Sequence, residues 1–220
     1  ILRESYVDFD HVVRNGKTIA LNKGNEYPLS VFGNHNIQNM QAARLICHSL
    51  GITDSMFFNS IKTFDGAANR LELLAEKKGK RVFKDFAHSP SKLMATIKAC
   101  NDQFKDGKLL SVMELHTFSS LNKEFLDEYA HCMDDSDIAI VYFSPEVMQH
   151  KKLESFSTQV VKDAFQKQDL IVITDADELI KDIRAKASEC STILLMSSGN
   201  FHGLVLKEFA VSLIDWLIKR

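Results

Sequence analysis

The sequence is short of the features that would place it in a specialised class. It has no run of about 18 apolar residues, so no membrane-spanning helix is expected. It opens Ile1-Leu2-Arg3-Glu4-Ser5, with no basic segment leading into an apolar one, so no secretory leader is expected. It also opens without an initiator Met, and an upstream region is expected to be absent from it. The cysteines, Cys47, Cys100, Cys132 and Cys190, are scattered and never in Cys-x-x-Cys spacing. That pattern argues against a disulfide framework or a redox motif, and for small buried apolar residues in a reducing, cytoplasmic compartment. No His-x-x-x-His pair or Cys cluster suggests zinc, and no Gly-x-Gly-x-x-Gly supports a dinucleotide site. With a formal net charge of −2, bulk charge gives no reason to expect a nucleic-acid or membrane surface.

What is present is an ordinary globular balance of 45% apolar and 25% charged residues over 220 positions, enough for a substantial core. Residues 6–21 read as a hairpin about Asn15-Gly16, a strong two-residue turn signal. Gly16-Lys17-Thr18 imitates the end of a phosphate loop, but the Gly that the pattern needs before it is His11, so that reading fails. A helix is predicted from Asn36 to Leu50, with Met40, Ala43, Cys47 and Leu50 on one stripe and Gly51 as its stop. A second is predicted from Thr53-Asp54 to Gly66, burying Phe57, Ile61 and Phe64.

From Arg70 onward short apolar strands alternate with amphipathic helices. Strands are predicted at 81–86, 109–113, 138–143, 170–174 and 193–196. Helices are predicted after Ser89-Pro90, at 121–133, at 158–167, after Asp175, and at the end, where Leu206, Phe209, Leu213 and Trp216 share a side. This alternation specifies an α/β fold, a doubly wound, mostly parallel sheet covered on both faces. The chain therefore divides near residue 68 into an incomplete front piece and a complete back domain.

In open parallel sheets ligands bind beyond the carboxyl ends of the strands. Those ends carry Asp85-Phe86-Ala87-His88-Ser89, then Glu114-Leu115-His116-Thr117, then Ser144-Pro145-Glu146, then Ser197-Ser198-Gly199-Asn200. Each has a plainer reading. Asp85 serves equally as a turn cap, His88 and His116 as surface histidines, and Ser197 to Asn200 as an ordinary connection or an anion-binding nest. Glu146 and the basic run Lys77-Lys78-Gly79-Lys80-Arg81 read as solvated. The pattern locates a site and names no reaction.

Three segments carry a resemblance. Gly33-Asn34-His35-Asn36-Ile37-Gln38-Asn39-Met40-Gln41-Ala42-Ala43 resembles the Gly-x-His-Asn-x-x-Asn-x-x-Ala-Ala stretch of the Mur ligases. Phe64-Asp65-Gly66-Ala67-Ala68-Asn69-Arg70-Leu71-Glu72 resembles their Phe-x-Gly-x-x-x-Arg-x-Glu segment. Lys84-Asp85-Phe86-Ala87-His88-Ser89-Pro90 resembles their Asp-Asp-Tyr/Phe-Ala-His-His-Pro motif, with Lys84 for the first Asp and Ser89 for the second His. The order and spacing cover essentially the whole chain. The resemblance implies that residues 1–68 are the tail of a central ATP-binding domain and 69–220 a C-terminal domain.

It implies further that Asn36 and Asn39 face adenine, that Arg70 sits near ribose and phosphates, and that Asp85 accepts a ribose hydroxyl. His88, Ser89, His116, Ser119, Ser198 and Asn200 are implied to face the acceptor substrate. The implied reaction is ATP- and Mg2+-dependent amide formation through an acyl phosphate on UDP-N-acetylmuramate. Met113 to His116 and Leu195 to Gly203 resemble the murein-recycling branch, whose acceptor is the tripeptide L-Ala-γ-D-Glu-meso-diaminopimelate. The alanine-adding branch and a non-catalytic nucleotide- or peptide-binding module stand as alternatives. A phosphate loop, the metal-binding carboxylates and a UDP-sugar domain are expected upstream of residue 1, so this piece alone is expected to bind ATP weakly and to catalyse nothing.

Overall fold

The structure is a computed structural model and describes residues 8–219. The front of the chain forms an antiparallel sheet of His11–Arg14 (β1), Lys17–Asn22 (β2) and Asn25–Leu29 (β3), in the order β1-β2-β3. Asn15 and Gly16 both take positive φ (52° and 70°) between the paired residues Arg14 and Lys17, as the tightest hairpin turn requires. The predicted hairpin thus gains a third strand, and its first residues, 6 and 7, lie outside the described part. β3 was hidden by Pro28, which an edge strand tolerates because it need not donate there.

Helix α1 spans Asn34–Ser49 and α2 spans Asp54–Ile61, with the Thr53 side chain accepting from the Met56 amide. The front core is Phe9, Ala20, Leu29, Val31, Ile37, Met40, Phe57 and Phe58. Two expectations fail here. α2 stops at Ile61, so Phe64 is exposed, and Leu50 at the end of α1 is 75% exposed. The apolar stripe of α1 has a different use: Met40 and Ala43 line a cavity.

The back of the chain is a six-stranded sheet in the order β4-β5-β9-β6-β7-β8. Its strands are Glu72–Lys77 (β4), Lys80–Asp85 (β5), Lys108–Glu114 (β6), Ile138–Tyr142 (β7), Ile171–Ile173 (β8) and Cys190–Met196 (β9). All neighbours are parallel except the edge strand β4, which pairs antiparallel with β5. On one face lie α3 (Pro90–Gln103), a 3-10 turn at Lys123–Tyr129 and α5 (Thr158–Phe165). On the other lie α6 (Ala176–Ala187) and α7 (Leu206–Ile218). Along β6, Leu109 and Met113 join one core and Leu110 and Val112 the other, because strand side chains alternate. A short α4 (Pro145–His150) was not anticipated. The helix expected at 121–133 is only the 3-10 turn, because Ala130 turns extended and His131 takes a φ of 61°.

The order of winding positions the site. β5 and β6 feed connections on the α3 face, whereas β9, between them, feeds α7 on the opposite face. Connections that leave adjacent strand ends in opposite directions open a crevice there. Here the crevice flanks the carboxyl end of β9 on both sides.

Candidate functional site

The first half of the site is a cavity of about 700 Å3 between α1 and the β5–α3 corner. Asn36 and Asn39 line it from α1, Arg70 from the segment before β4, Asp85 from the end of β5, and Lys92 and Thr96 from α3. The structure thus brings together the four residues predicted to hold a nucleotide. One Asn36 amide hydrogen donates to the Phe32 carbonyl (2.8 Å), which fixes the side chain and leaves its oxygen and second N–H for a ligand. Apolar walls come from Met40, Ile61 and Phe64.

Asp85 is 4% exposed and works locally. Its Oδ2 accepts from the Leu71 amide (2.8 Å) and its Oδ1 from the Ala87 amide (2.7 Å). Asn69 donates its amide to the Glu72 carboxylate (2.9 Å) and accepts at its carbonyl from the Phe86 amide. These bonds impose positive φ on two side-chain-bearing residues, Asn69 (60°) and Leu71 (42°), on either side of Arg70. Backbone held in that region costs about 1–3 kcal/mol per residue and persists only where the surroundings over-determine it. The result is an exposed Arg70 guanidinium 5.5 Å above the Phe86 ring, aimed along the cavity. The strand-end carboxylate that the sequence offered as a turn cap or a ligand group is a clamp on the arginine segment, with one Oδ2 lone pair left over.

His35, inside the Gly33–Ala43 segment but given no role by the resemblance, also lines the cavity. Burial lowers its pKa, the Asp85 charge opposes this, and the Arg70 charge reinforces it. Gly33 caps α1 at a φ of 87°, where an added Cβ would stand 2.6 Å from the Ala99 Cβ of α3. Only glycine lets α1 approach α3 closely enough to close the cavity.

The second half lies across β9, at the end of β6. Glu114, 3% exposed, accepts at Oε2 from the Ser197 hydroxyl and from the Phe201 amide (2.9 Å). Its Oε1 stands 3.6 Å from Nδ1 of His116, whose side chain is 33% exposed. The Gly199 amide donates to Ser197 Oγ (2.7 Å), and Asn200 Oδ1 accepts from the Gly203 amide (2.8 Å). The Ser197 amide donates to the Asp85 carbonyl (3.0 Å), so one residue touches both halves. Of the residues predicted to face the acceptor, His116, Ser198 and Asn200 meet at this edge. His88 and Ser89 stand one place over, at the end of β5, with His88 Nδ1 2.8 Å from the Phe86 carbonyl. Ser89 occupies the α3 N-cap position without a side-chain capping bond. Ser119 lies farther out and exposed, its hydroxyl 3.1 Å from that of Thr117. Beside it Lys151 Nζ sits 4.2 Å over the Phe118 ring.

Glu146 is exposed, as expected, in the first turn of α4. Arg81 is not: it is 7% exposed, its guanidinium 4.3 Å over Phe104 and paired with Asp106 at 2.9 Å. Among the described residues no group of three or more His, Cys, Asp or Glu is placed to hold a metal ion, and no helix is long and apolar enough to cross a membrane.

Comparison with known proteins bears on what this site is for. The family model described as "Mur ligase, glutamate ligase domain" matches residues 69–199. UDP-N-acetylmuramate–L-alanine ligase of Bartonella bacilliformis is 24% identical over 205 residues, covering 90% of this chain and 42% of that protein. The MurF ligase of Thermotoga maritima, solved in complex with ADP, superposes with a TM-score of 0.63 at 20% identity over 97% of this chain and 47% of that one. The murein peptide ligase of Psychrobacter arcticus superposes with a TM-score of 0.58 at 20% identity, over 92% and 42%. The chain spans less than half the length of each of these proteins.

Proposed function

The chain belongs to the Mur ligase family, and from that premise we propose that it is the nucleotide-embracing and acceptor-binding part of an ATP-dependent, amide-forming ligase acting on UDP-N-acetylmuramate in the cytoplasm. Residues 1–68 are read as the tail of the ATP-binding domain and 69–220 as the C-terminal domain. The observation that carries the reading is the single cavity into which Asn36, Asn39, Arg70 and Asp85 converge from both parts. Its volume of about 700 Å3 lies within the usual size of small-ligand pockets.

Asn36 and Asn39 present amide groups able both to donate to and to accept from a purine edge. The planar fork of Arg70 suits phosphate oxygens, and the free lone pair of Asp85 Oδ2 suits a ribose hydroxyl. Transfer of a phosphoryl group to the muramyl carboxylate gives an acyl phosphate. The acceptor amine then forms the C–N bond as the C–O bond to phosphate breaks, and inorganic phosphate leaves. His88, Ser89, His116, Ser119, Ser198 and Asn200 are read as the acceptor side. The magnesium that this chemistry implies finds no fitting ligand set among the described residues, where no three His, Cys, Asp or Glu side chains gather.

For the acceptor we favour the tripeptide L-Ala-γ-D-Glu-meso-diaminopimelate. The open lip of His116, the 62%-exposed Phe118 ring and Lys151 over it offers an extended, carboxylate-rich peptide both an apolar and a cationic contact. L-alanine is the second reading, favoured by the name of the Bartonella relative. The test supplies the complete gene product with ATP, magnesium and UDP-N-acetylmuramate, and measures phosphate release with each acceptor. Release with the tripeptide alone is expected. Release with alanine moves the protein to the biosynthetic branch, and silence with both leaves a binding module.

A further inference from the structure

We infer that Glu114 is a positioning residue for the acceptor side of the reaction, holding His116 and the loop 197–203 where the amine-bearing substrate enters; this rests on the ligase reading above. A carboxylate sunk to 3% exposure is costly unless it is answered by hydrogen bonds or charge. Glu114 is answered at Oε2 by the Ser197 hydroxyl and the Phe201 amide, and at Oε1 it faces His116 Nδ1 at 3.6 Å. The loop already closes on itself through the Asn200 side chain and the Leu204 amide, which donates to the Asn200 carbonyl (2.8 Å). A neutral acceptor at 114 would therefore suffice to receive the Ser197 hydroxyl and the Phe201 amide. The charge has its use on the remaining side, toward an imidazole that is one-third exposed and opens to the crevice. The bare Cα of Gly199 makes room for this arrangement: an added Cβ would stand 2.8 Å from the His116 ring and 2.9 Å from Glu114 Oε2.

Position ties the cluster to the reaction. Asp85 and Glu114 end the strands on either side of β9, so at about 4.8 Å per strand step they stand roughly 10 Å apart. One extended substrate reaches from the cavity mouth to His116 over that span. Ser197, bonded to both Asp85 and Glu114, fixes the spacing.

The test uses the complete gene product with E114Q, E114A and G199A. Each is assayed for the KM of the acceptor, the KM of UDP-N-acetylmuramate, and the affinity of a fluorescent ATP analogue measured by direct titration. E114Q keeps an oxygen able to accept from Ser197 and Phe201 while losing the charge toward His116. The expected result is a rise in acceptor KM of roughly tenfold, with nucleotide affinity within about twofold of wild type. G199A is expected to act the same way by displacing the same ring, and E114A more strongly. Wild-type turnover with acceptor KM unchanged in E114Q and G199A overturns the inference alone, as does a uniform loss of all three substrates' affinities. A wild-type protein that releases no phosphate with any acceptor overturns the ligase reading, and this inference with it.

Discussion

Two buried carboxylates, Asp85 and Glu114, sit at equivalent strand ends on either side of β9, and they are used differently. Asp85 is answered by the backbone amides of Leu71 and Ala87, and what it holds is the strained segment that projects Arg70. Space remains around it, and that space is the cavity. Glu114 is answered by a hydroxyl, an amide and a neighbouring imidazole, and what it holds is a loop packed so closely that Gly199 has no room for a methyl group. One carboxylate shapes a hole and the other closes a lid of backbone over a strand end. The same residue type at the same kind of position gives either outcome, according to whether its donors come from a neighbouring turn or from the next strand's exit.

The sharpest way to break the contrast is Asp85→Ala. It orphans two buried amides, a cost that outweighs the relief of the enforced positive φ, so a loss of about 2–4 kcal/mol in urea denaturation is expected, with nucleotide binding lost as well. A stability change under about 1 kcal/mol would show that Asp85 is not the clamp described. A third carboxylate sharpens the picture because its partners are charges rather than dipoles. The Arg44 hydrogen bond, with His48 adding and burial opposing, holds the Asp54 carboxyl well below the usual carboxylate range. A depressed folded value makes this contribution present above the ordinary value of 3.8 and lost as pH falls from there toward the folded value. Asp54→Asn is expected to cost on the order of 1–2 kcal/mol at pH 7, and the gap from wild type to shrink below pH 3.8. A gap constant with pH would refute the assignment.

The smallest effect expected is in thiol labelling. Burial raises the Cys100 thiol, the Asp85 charge adds to this and Arg81 opposes it, while Cys190 is pushed up to about 11, chiefly by burial. A maleimide at pH 8 is expected to modify the half-buried Cys47 first and the buried Cys100, Cys132 and Cys190 only slowly. Labelling of any of these three ahead of Cys47 would refute the ranking.

The parallel sheet was legible because its strands are buried on both faces and read as apolar runs; β7, Ile138–Tyr142, stood out completely. β4 was not, since Glu72, Glu76 and Lys77 give an edge strand the look of a solvated segment. The same bias misjudged Arg81, whose burial depends on Phe104 and Asp106, far along the chain. In the site, strand ends alone indicated where Asp85, His88, His116 and Ser198 would lie. That Asn36 and Asn39 join Asp85 came from the resemblance, because their meeting depends on the approach of α1 to α3 across Gly33. Glu114 was noticed only as a polar strand end. Its hydrogen-bond donors lie more than 80 positions later, and no local pattern announces a pairing set by where β9 inserts into the sheet.

Phe32 belongs to the front part by sequence and to the back core by packing, its ring edge-on to Phe83 at 5.4 Å and to Phe104 at 5.3 Å. Gln103 of α3 adds a polar fastening on the same seam, accepting from Thr18 Oγ1 (2.9 Å) and donating to the Gly16 carbonyl (2.8 Å). The halves are consequently not free to be inherited separately. A recombination joint placed near residue 68 would deliver a back domain with an aromatic socket open to water, and a foreign front would succeed only if it brought its own ring to fill that socket.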